Sequence, residues 1–210
     1  MPALLKNIPY ICKYKPRSSR PKREGDCVDD KDFDRKWPAG FQFRWKLEEP
    51  QGPMSERDGT LVVSHAEMEQ EFEAVFQKWT KVSGYKFRKD EQNPNLKITV
   101  LKNQPTVEPF EPSTYAQAYT DGGIGYIEFN NVNRLDYWTK TMVHNVFLHE
   151  MGHIFGLGHV CQERAVMYPE LRETLLSLEL TPWDITHFNT FVASNHKLIN
   201  GQRKRQLKHW

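Results

Sequence analysis

Hydrophobic and polar residues alternate where the packed region begins: Phe41, Phe43, Trp45 and Leu47 are separated by Gln42, Arg44 and Lys46. A period of two puts the four apolar side chains on one face, so the run predicts a strand with one buried side. The period then lengthens. Ser64 and Glu67 form a capping box, and Met68, Phe72, Val75, Phe76, Trp79 and Val82 follow at helical spacing until Gly84. A helix over about residues 65 to 82 is predicted. Leu96, Ile98 and Val100, between Pro94 and Pro105, predict a second strand, followed by a loop through Pro109 and Pro112. Runs at Tyr115–Tyr119 and Ile124–Phe129 flank the turn Asp121-Gly122-Gly123 and suit one edge of a small sheet. From about Lys140 the spacing of Val143, Val146, Phe147, Met151 and Ile154 is helical again and stops at Gly156. A last helix opens with Thr181 as N-cap and Pro182 at the first helical position.

At 210 residues and 38% hydrophobic, the chain can bury one sizeable core. No apolar run approaches the roughly 18 to 20 residues of a membrane span. The net charge of +2 hides a division. Lys6, Lys13, Lys15, Arg17, Arg20, Lys22 and Arg23 precede the first acid, Glu24, and the bases from Lys197 onward also have no acid among them. The region between is strongly acidic. Unopposed like charge resists packing, so both ends read as extensions outside the fold. The division predicts a basic leader over 1–24, a linker over 25–40, a folded domain over 41–195 and a basic tail over 196–210. A general polyanion binder would carry its bases on the folded part, which disfavours nucleic acid as the partner. The N-terminus lacks the continuous apolar stretch of a secretory signal. Cys12, Cys27 and Cys161 are too few for a disulfide scaffold.

The segment from His149 to His159 reads HExxHxxGxxH. Residues four apart share a helix face, so His149 and His153 can present ring nitrogens to one ion. Gly156 tolerates the backbone reversal that ends the helix and brings His159 round as third ligand. Three neutral imidazoles leave the fourth tetrahedral position of Zn²⁺ for water, the arrangement of a catalytic site. Glu150 is placed to take that water's proton and pass it to a leaving amine. The remaining histidines, His65, His144, His187, His196 and His209, have no ligand spacing.

This run resembles the zinc signature of the metzincin peptidases, and Ala165-Val166-Met167-Tyr168-Pro169 resembles the Met-turn that floors their zinc site. Its wording is most similar to the matrixins, or matrix metalloproteinases, and the resemblance covers Phe41 to about Phe191. It implies an α/β fold of α+β type, with a small twisted, mostly parallel sheet, one antiparallel edge strand, about three helices and zinc in a cleft. It also implies that Met167 underlies the zinc and that the segment around Tyr168 and Pro169 walls the S1′ pocket. An extended polypeptide substrate would lie antiparallel along the edge formed by Tyr115, Ala116, Gln117, Ala118 and Tyr119. Extracellular matrix or secreted proteins are the implied substrates, protein inhibitors the implied ligands of the same cleft, and secretion the implied location. The basic tail suits an anionic polysaccharide in an accessory role. A non-cleaving module of the same shape is the alternative, and Glu150 argues against it, since a decoy has no use for the base.

Several positions depart from the family. Gln117 and Glu128 stand where matrixins have zinc-binding histidines, so one catalytic zinc is expected and no structural one. Asn130 and Asn133 replace carboxylates expected near calcium, so any calcium there would be weakly held, with Asp121 and backbone carbonyls as contributors. Val160 and Leu171 replace a family Ser and a pocket-wall Tyr. Pro16–Pro21 matches the frame of the latency switch but has Ser18 at the thiol position, and a hydroxyl is a poor zinc ligand. Arg20, Lys22 and Arg23 have the Arg-x-Lys-Arg form cut by furin-like convertases, with a solvated basic tail as the other reading. Cleavage there would leave Cys27 and Cys161 as a pair able to bridge. Trp183 replaces an acid before Asp184, which is left either to hold the Met-turn or to cap its own helix.

Overall fold

A computed structural model describes residues 10–14, 37–48, 54–57, 60–101, 109–110, 114–131, 138–171 and 178–193. The strands are β1 (Tyr10–Tyr14), β2 (Gln42–Leu47), β3 (Met54–Arg57), β4 (Thr60–Val63), β5 (Lys86–Lys89), β6 (Leu96–Leu101), β7 (Thr114–Asp121), β8 (Ile124–Asn130) and β9 (Glu170–Leu171). The helices are α1 (His65–Ser83), α2 (Lys140–Phe155) and α3 (182–193). Strands β3 and β4 pair as a separate antiparallel ribbon. The remaining seven form one sheet in the order β5-β2-β6-β8-β7-β1-β9.

Parallel pairing joins β5, β2, β6 and β8, and β7 runs antiparallel to β8. This is the mixed α/β architecture with a mostly parallel sheet and three helices that the resemblance implied. The strand predicted around Phe41–Leu47 is β2, whose alternate residues Phe43, Trp45 and Leu47 are buried. The predicted capping box is present at α1, where Ser64 Oγ accepts from the Glu67 amide at 3.3 Å and Glu67 Oε2 accepts from the Ser64 amide at 2.9 Å. Gly84, at φ 69°, ends the helix in the left-handed conformation. Met68, Phe72, Val75, Phe76 and Trp79 form its buried stripe.

Helix α2 differs in kind. Every residue from Val143 to Phe155 is buried, as expected of a helix enclosed on all sides and not one with a single apolar stripe. Phe72 and Phe147 join α1 to α2 with ring centroids 4.1 Å apart, while Phe129 of β8 stacks on Phe72 at 5.9 Å. Phe155, at the end of α2, contacts Phe43, Trp79 and Phe188. The core therefore closes around the helix that carries the histidine motif. Trp37, assigned by sequence to the linker, packs on Phe41 and Phe43 and donates from Nε1 to the Ile154 carbonyl at 2.7 Å.

One expectation is corrected. The unopposed charge predicts a basic leader outside the fold, yet Tyr10–Tyr14 is a strand of the main sheet. Charge counting misses this because strand pairing is made by backbone groups, which carry no charge signature. The predicted processing residues Arg20, Lys22 and Arg23, together with Ser18, Cys27, Asn133 and the tail 196–210, lie outside the described residues.

Candidate metal centre

Helix α2 begins at Thr139, whose side chain accepts from the Met142 amide at 3.1 Å. It ends at Gly156, at φ 105°, a conformation that a side chain would strain. The Gly156 amide donates to the Gly152 and His153 carbonyls, and the Leu157 amide follows onto Gly152 at 3.0 Å. The chain reverses there and returns His159 to the helix face holding His149 and His153.

The three imidazoles converge. Nε2 of His153 lies 3.0 Å from Nε2 of His149 and 3.2 Å from Nε2 of His159. Four-coordinate zinc, with bonds of about 2.0 to 2.1 Å, separates its nitrogen ligands by about 3.3 Å. Backbone carbonyls fix two of the tautomers. His149 Nδ1–H donates to Val166 O at 2.7 Å and His153 Nδ1–H to Leu157 O at 2.8 Å. Both Nε2 lone pairs are thereby directed at the common point, the outer-sphere orientation that metal-binding histidines need. Burial pushes His149 down to about 3, with His159 opposing its charge as well, and pushes His159 down to about 4. Both are neutral at physiological pH, the state that ligates. The donor set fits a divalent ion of borderline softness such as zinc.

Glu150 is fully buried next to the first of these ligands. Among the described residues neither of its carboxylate oxygens has a hydrogen-bond partner. Burial raises its pKa well above the ordinary value, and a cation beside it would oppose that shift.

Beneath the histidines runs the turn containing Ala165, Val166 and Met167, all buried, with Tyr168 and Pro169 half-buried beyond them. Met167 O accepts from the Val160 amide at 3.0 Å, and the Tyr168 amide donates to Ala165 O at 3.2 Å. Asp184 resolves the two readings left open for it by doing both. Its Oδ1 accepts from the Val166 amide at 2.9 Å, and its Oδ2 accepts from the amide and hydroxyl of Thr181 at 2.8 and 2.6 Å. A polar chain thus runs from Asp184 through the backbone of Val166 to His149. Sequence reasoning had no access to the Val166 and Leu157 carbonyls, since a backbone acceptor leaves no mark on residue type.

The predicted edge Tyr115–Tyr119 lies within β7 but is not an edge in this structure, because β8 pairs with one side of the strand and β1 with the other. Strand β1 pairs with it antiparallel, Tyr10 opposite Ala118, Ile11 opposite Gln117 and Cys12 opposite Ala116. After an irregularity at Cys12/Lys13, the same strand runs parallel to β9, with Lys13 opposite Glu170 and Tyr14 opposite Leu171. An extended segment of the chain itself therefore fits between β7 and the strand following the 165–169 turn. Across the ladder to β8, Gln117 Nε2 donates to Glu128 Oε2 at 2.6 Å and Tyr119 OH to Glu128 Oε1 at 2.9 Å. Cys161 is disulfide-bonded. No described helix is long and apolar enough to cross a membrane.

The sequence profile of the matrixin family matches residues 54–190. Among named proteins, Metalloendoproteinase 1 of Glycine max is 30% identical over 140 residues, covering 58% of this chain and 44% of its own length. Metalloendoproteinase 2-MMP of Arabidopsis thaliana is 24% identical over 174 residues, covering 76% of this chain and 43% of its own. Metalloendoproteinase 1-MMP of Arabidopsis thaliana is 44% identical over 54 residues, 26% of this chain and 15% of its own. The chain spans less than half the length of these relatives. With the profile matching well over half of the chain across the histidine motif and the turn beneath it, the chain belongs to the matrixin family.

Proposed function

We propose that this chain is a zinc-dependent endopeptidase that hydrolyses peptide bonds in extended polypeptides. The observation that carries the reading is the convergence of His149, His153 and His159 beside a buried carboxylate, Glu150, that has no hydrogen-bond partner of its own among the described residues. In this reading the three Nε2 atoms hold the ion, and Val166 O and Leu157 O keep the rings turned toward it. Zinc bound there supplies Lewis acidity that polarises the scissile carbonyl and acidifies water. Glu150 takes a proton from the attacking water and delivers it to the leaving amine nitrogen. The substrate takes the place that β1 holds against β7 at Tyr115–Tyr119, so β1 has to leave before a substrate strand pairs there; the antiparallel pairing of β1 supports this mode. Met167 and the residues after it form the floor and one wall of the cleft.

The disulfide at Cys161 supports an oxidising, extracellular setting, with secreted or matrix proteins as substrates and protein inhibitors as competitors for the cleft. The metalloendoproteinase names of the relatives support the peptidase activity itself. The test is cleavage of a quenched peptide with a hydrophobic P1′ residue, before and after chelation and zinc return. Chelation should abolish turnover and zinc restore it. Glu150→Ala should keep its zinc and lose roughly 10² to 10⁴ in kcat. Undiminished cleavage by that variant, or by the chelated protein, would overturn the reading.

A further inference from the structure

Between α1 and α2 lies a polar cluster that the peptidase mechanism does not use. His144 is 3% exposed. Its Nδ1 lies 2.9 Å from Glu71 Oε2 and its Nε2 lies 2.7 Å from Lys78 Nζ. Lys78 also donates to Leu178 O at 2.7 Å and pairs with Glu179 Oε1 at 2.9 Å. The Leu178 amide donates to Asn145 Oδ1 at 2.7 Å, so both backbone polar groups of Leu178 are held by the two helices. Three residues further on, Thr181 and Asp184 form the cap of α3, and Asp184 in turn holds Val166 and through it His149.

The arrangement has one consistent protonation pattern. A carboxylate beside Nδ1 requires a proton on that nitrogen, and an ammonium beside Nε2 requires a lone pair there. His144 is thus the neutral Nδ1–H tautomer, and the ammonium hydrogens of Lys78 are spent on three acceptors: His144, Leu178 O and Glu179. A second proton on His144 would set an N–H against an ammonium at 2.7 Å, with no acceptor between them.

We propose that Glu71, His144 and Lys78, with Asn145, form a pH-sensitive clamp that pins residues 178–181 to α1 and α2 and so positions Asp184 beneath the metal centre. These are positioning residues, and the inference rests on the peptidase reading only in taking that centre as the site steadied. Facing His144 are Glu71 and Lys78 from α1 and Glu179 from the segment before α3, and Lys140 acts on Glu71 from α2. Burial is the largest influence and lowers the His144 pKa, with Lys78 acting in the same direction and both glutamates against. The sign follows: the clamp is intact above the ordinary histidine pKa and is lost as pH falls through the lower value of the folded protein.

The test is amide hydrogen exchange of the zinc-loaded chain between about pH 8 and pH 5, corrected for intrinsic rates, on a peptide spanning 178–185. Protection should fall by about tenfold or more on acidification. His144→Gln, which can donate to Glu71 and accept from Lys78 but cannot titrate, should keep the protection and lose its pH dependence. Lys78→Met should be unprotected throughout, and Lys78→Gln serves should the Met variant not fold. An unchanged pH response in His144→Gln, or full protection in either Lys78 variant, overturns the clamp. Peptide hydrolysis read on the same samples separates the two ideas, because absent hydrolysis with the expected exchange pattern removes the peptidase reading alone.

Discussion

Gly152 and Met167 approach so closely that a Cβ on the glycine would overlap the Met167 sulfur and lie 3.1 Å from its methyl carbon. The helix that presents His149 and His153 and the turn that supports them are in contact because Gly152 has no side chain. Gly152→Ala forces one of the two to move. Both are enclosed by core, so overpacking should cost about 1 to 3 kcal/mol. The displacement acts directly under the metal centre, so zinc affinity should fall together with the melting temperature. Thermal denaturation and competitive zinc titration measure the two, and an unchanged affinity would mean that the turn yields without disturbing the ligands.

Asp184 offers a sharper division of roles, one oxygen for the 165–169 turn and one for its own helix. Asp184→Ala strands the Val166 and Thr181 amides and should cost about 2 to 4 kcal/mol, as expected for hydrogen bonds to a buried charged group. Asp184→Asn retains one carbonyl oxygen and should lose less. If Thr181→Ala, which spares the bond to Val166, lowers zinc affinity as much as Asp184→Ala does, the polar chain to His149 is not what matters. Urea denaturation with zinc titration on the three variants decides it.

The α1 cap gives a pH prediction. Hydrogen bonds from Lys140 first, and then from the Ser64 backbone and side chain, hold Glu67 down to about 2. A depressed carboxylate stabilises the fold above its unfolded pKa and ceases to do so as pH falls through its folded value. The support should be complete above about pH 4.5 and vanish toward pH 2. Lys140 is raised by the same partner, so its share is present below its ordinary pKa and is lost at higher, strongly alkaline pH. Ser64→Ala should cost about 1 kcal/mol at neutral pH. Stability curves for the variant and the parent should draw closer on acidification without meeting, because protonation of Glu67 weakens its bond from the Ser64 hydroxyl, while Ser64 Oγ in the parent still accepts from the Glu67 amide.

What was legible in the sequence depended on how each contact is encoded. The α1 cap, the α2 boundaries and the three imidazoles were legible because local rules fix them: a capping box, a terminal glycine, and an i, i+4 pair followed by a reversal. Strand β5 was not, since Lys86-Phe87-Arg88-Lys89 offers one apolar residue on an exposed edge and is recruited by its pairing with β2. His144 was set aside for want of ligand spacing. Its partners Lys78 and Glu71 stand 66 and 73 residues away, and only the packing of α1 on α2 joins them. Strand β1 was hidden by the charges around it.

Gln117 and Glu128 carry the last prediction. They occupy adjacent strands in register, at positions where the family resemblance implies histidines on a second zinc. Here both oxygens of Glu128 are engaged, one by the Gln117 amide and one by the Tyr119 hydroxyl, and an amide nitrogen cannot ligate a metal. The carboxylate and the nearby Tyr126 raise the Tyr119 pKa further, after burial, so its hydroxyl remains a donor across the physiological range. The strand pair is therefore joined on this face by side-chain hydrogen bonds. Metal analysis of the dialysed protein should find one zinc per chain, and His149→Ala should reduce it to none. Glu128→Ala should leave the zinc count unchanged but lower stability by about 1 to 3 kcal/mol, since it leaves the buried Gln117 amide without its acceptor. Two zinc ions per parent chain would place a metal where these hydrogen bonds lie.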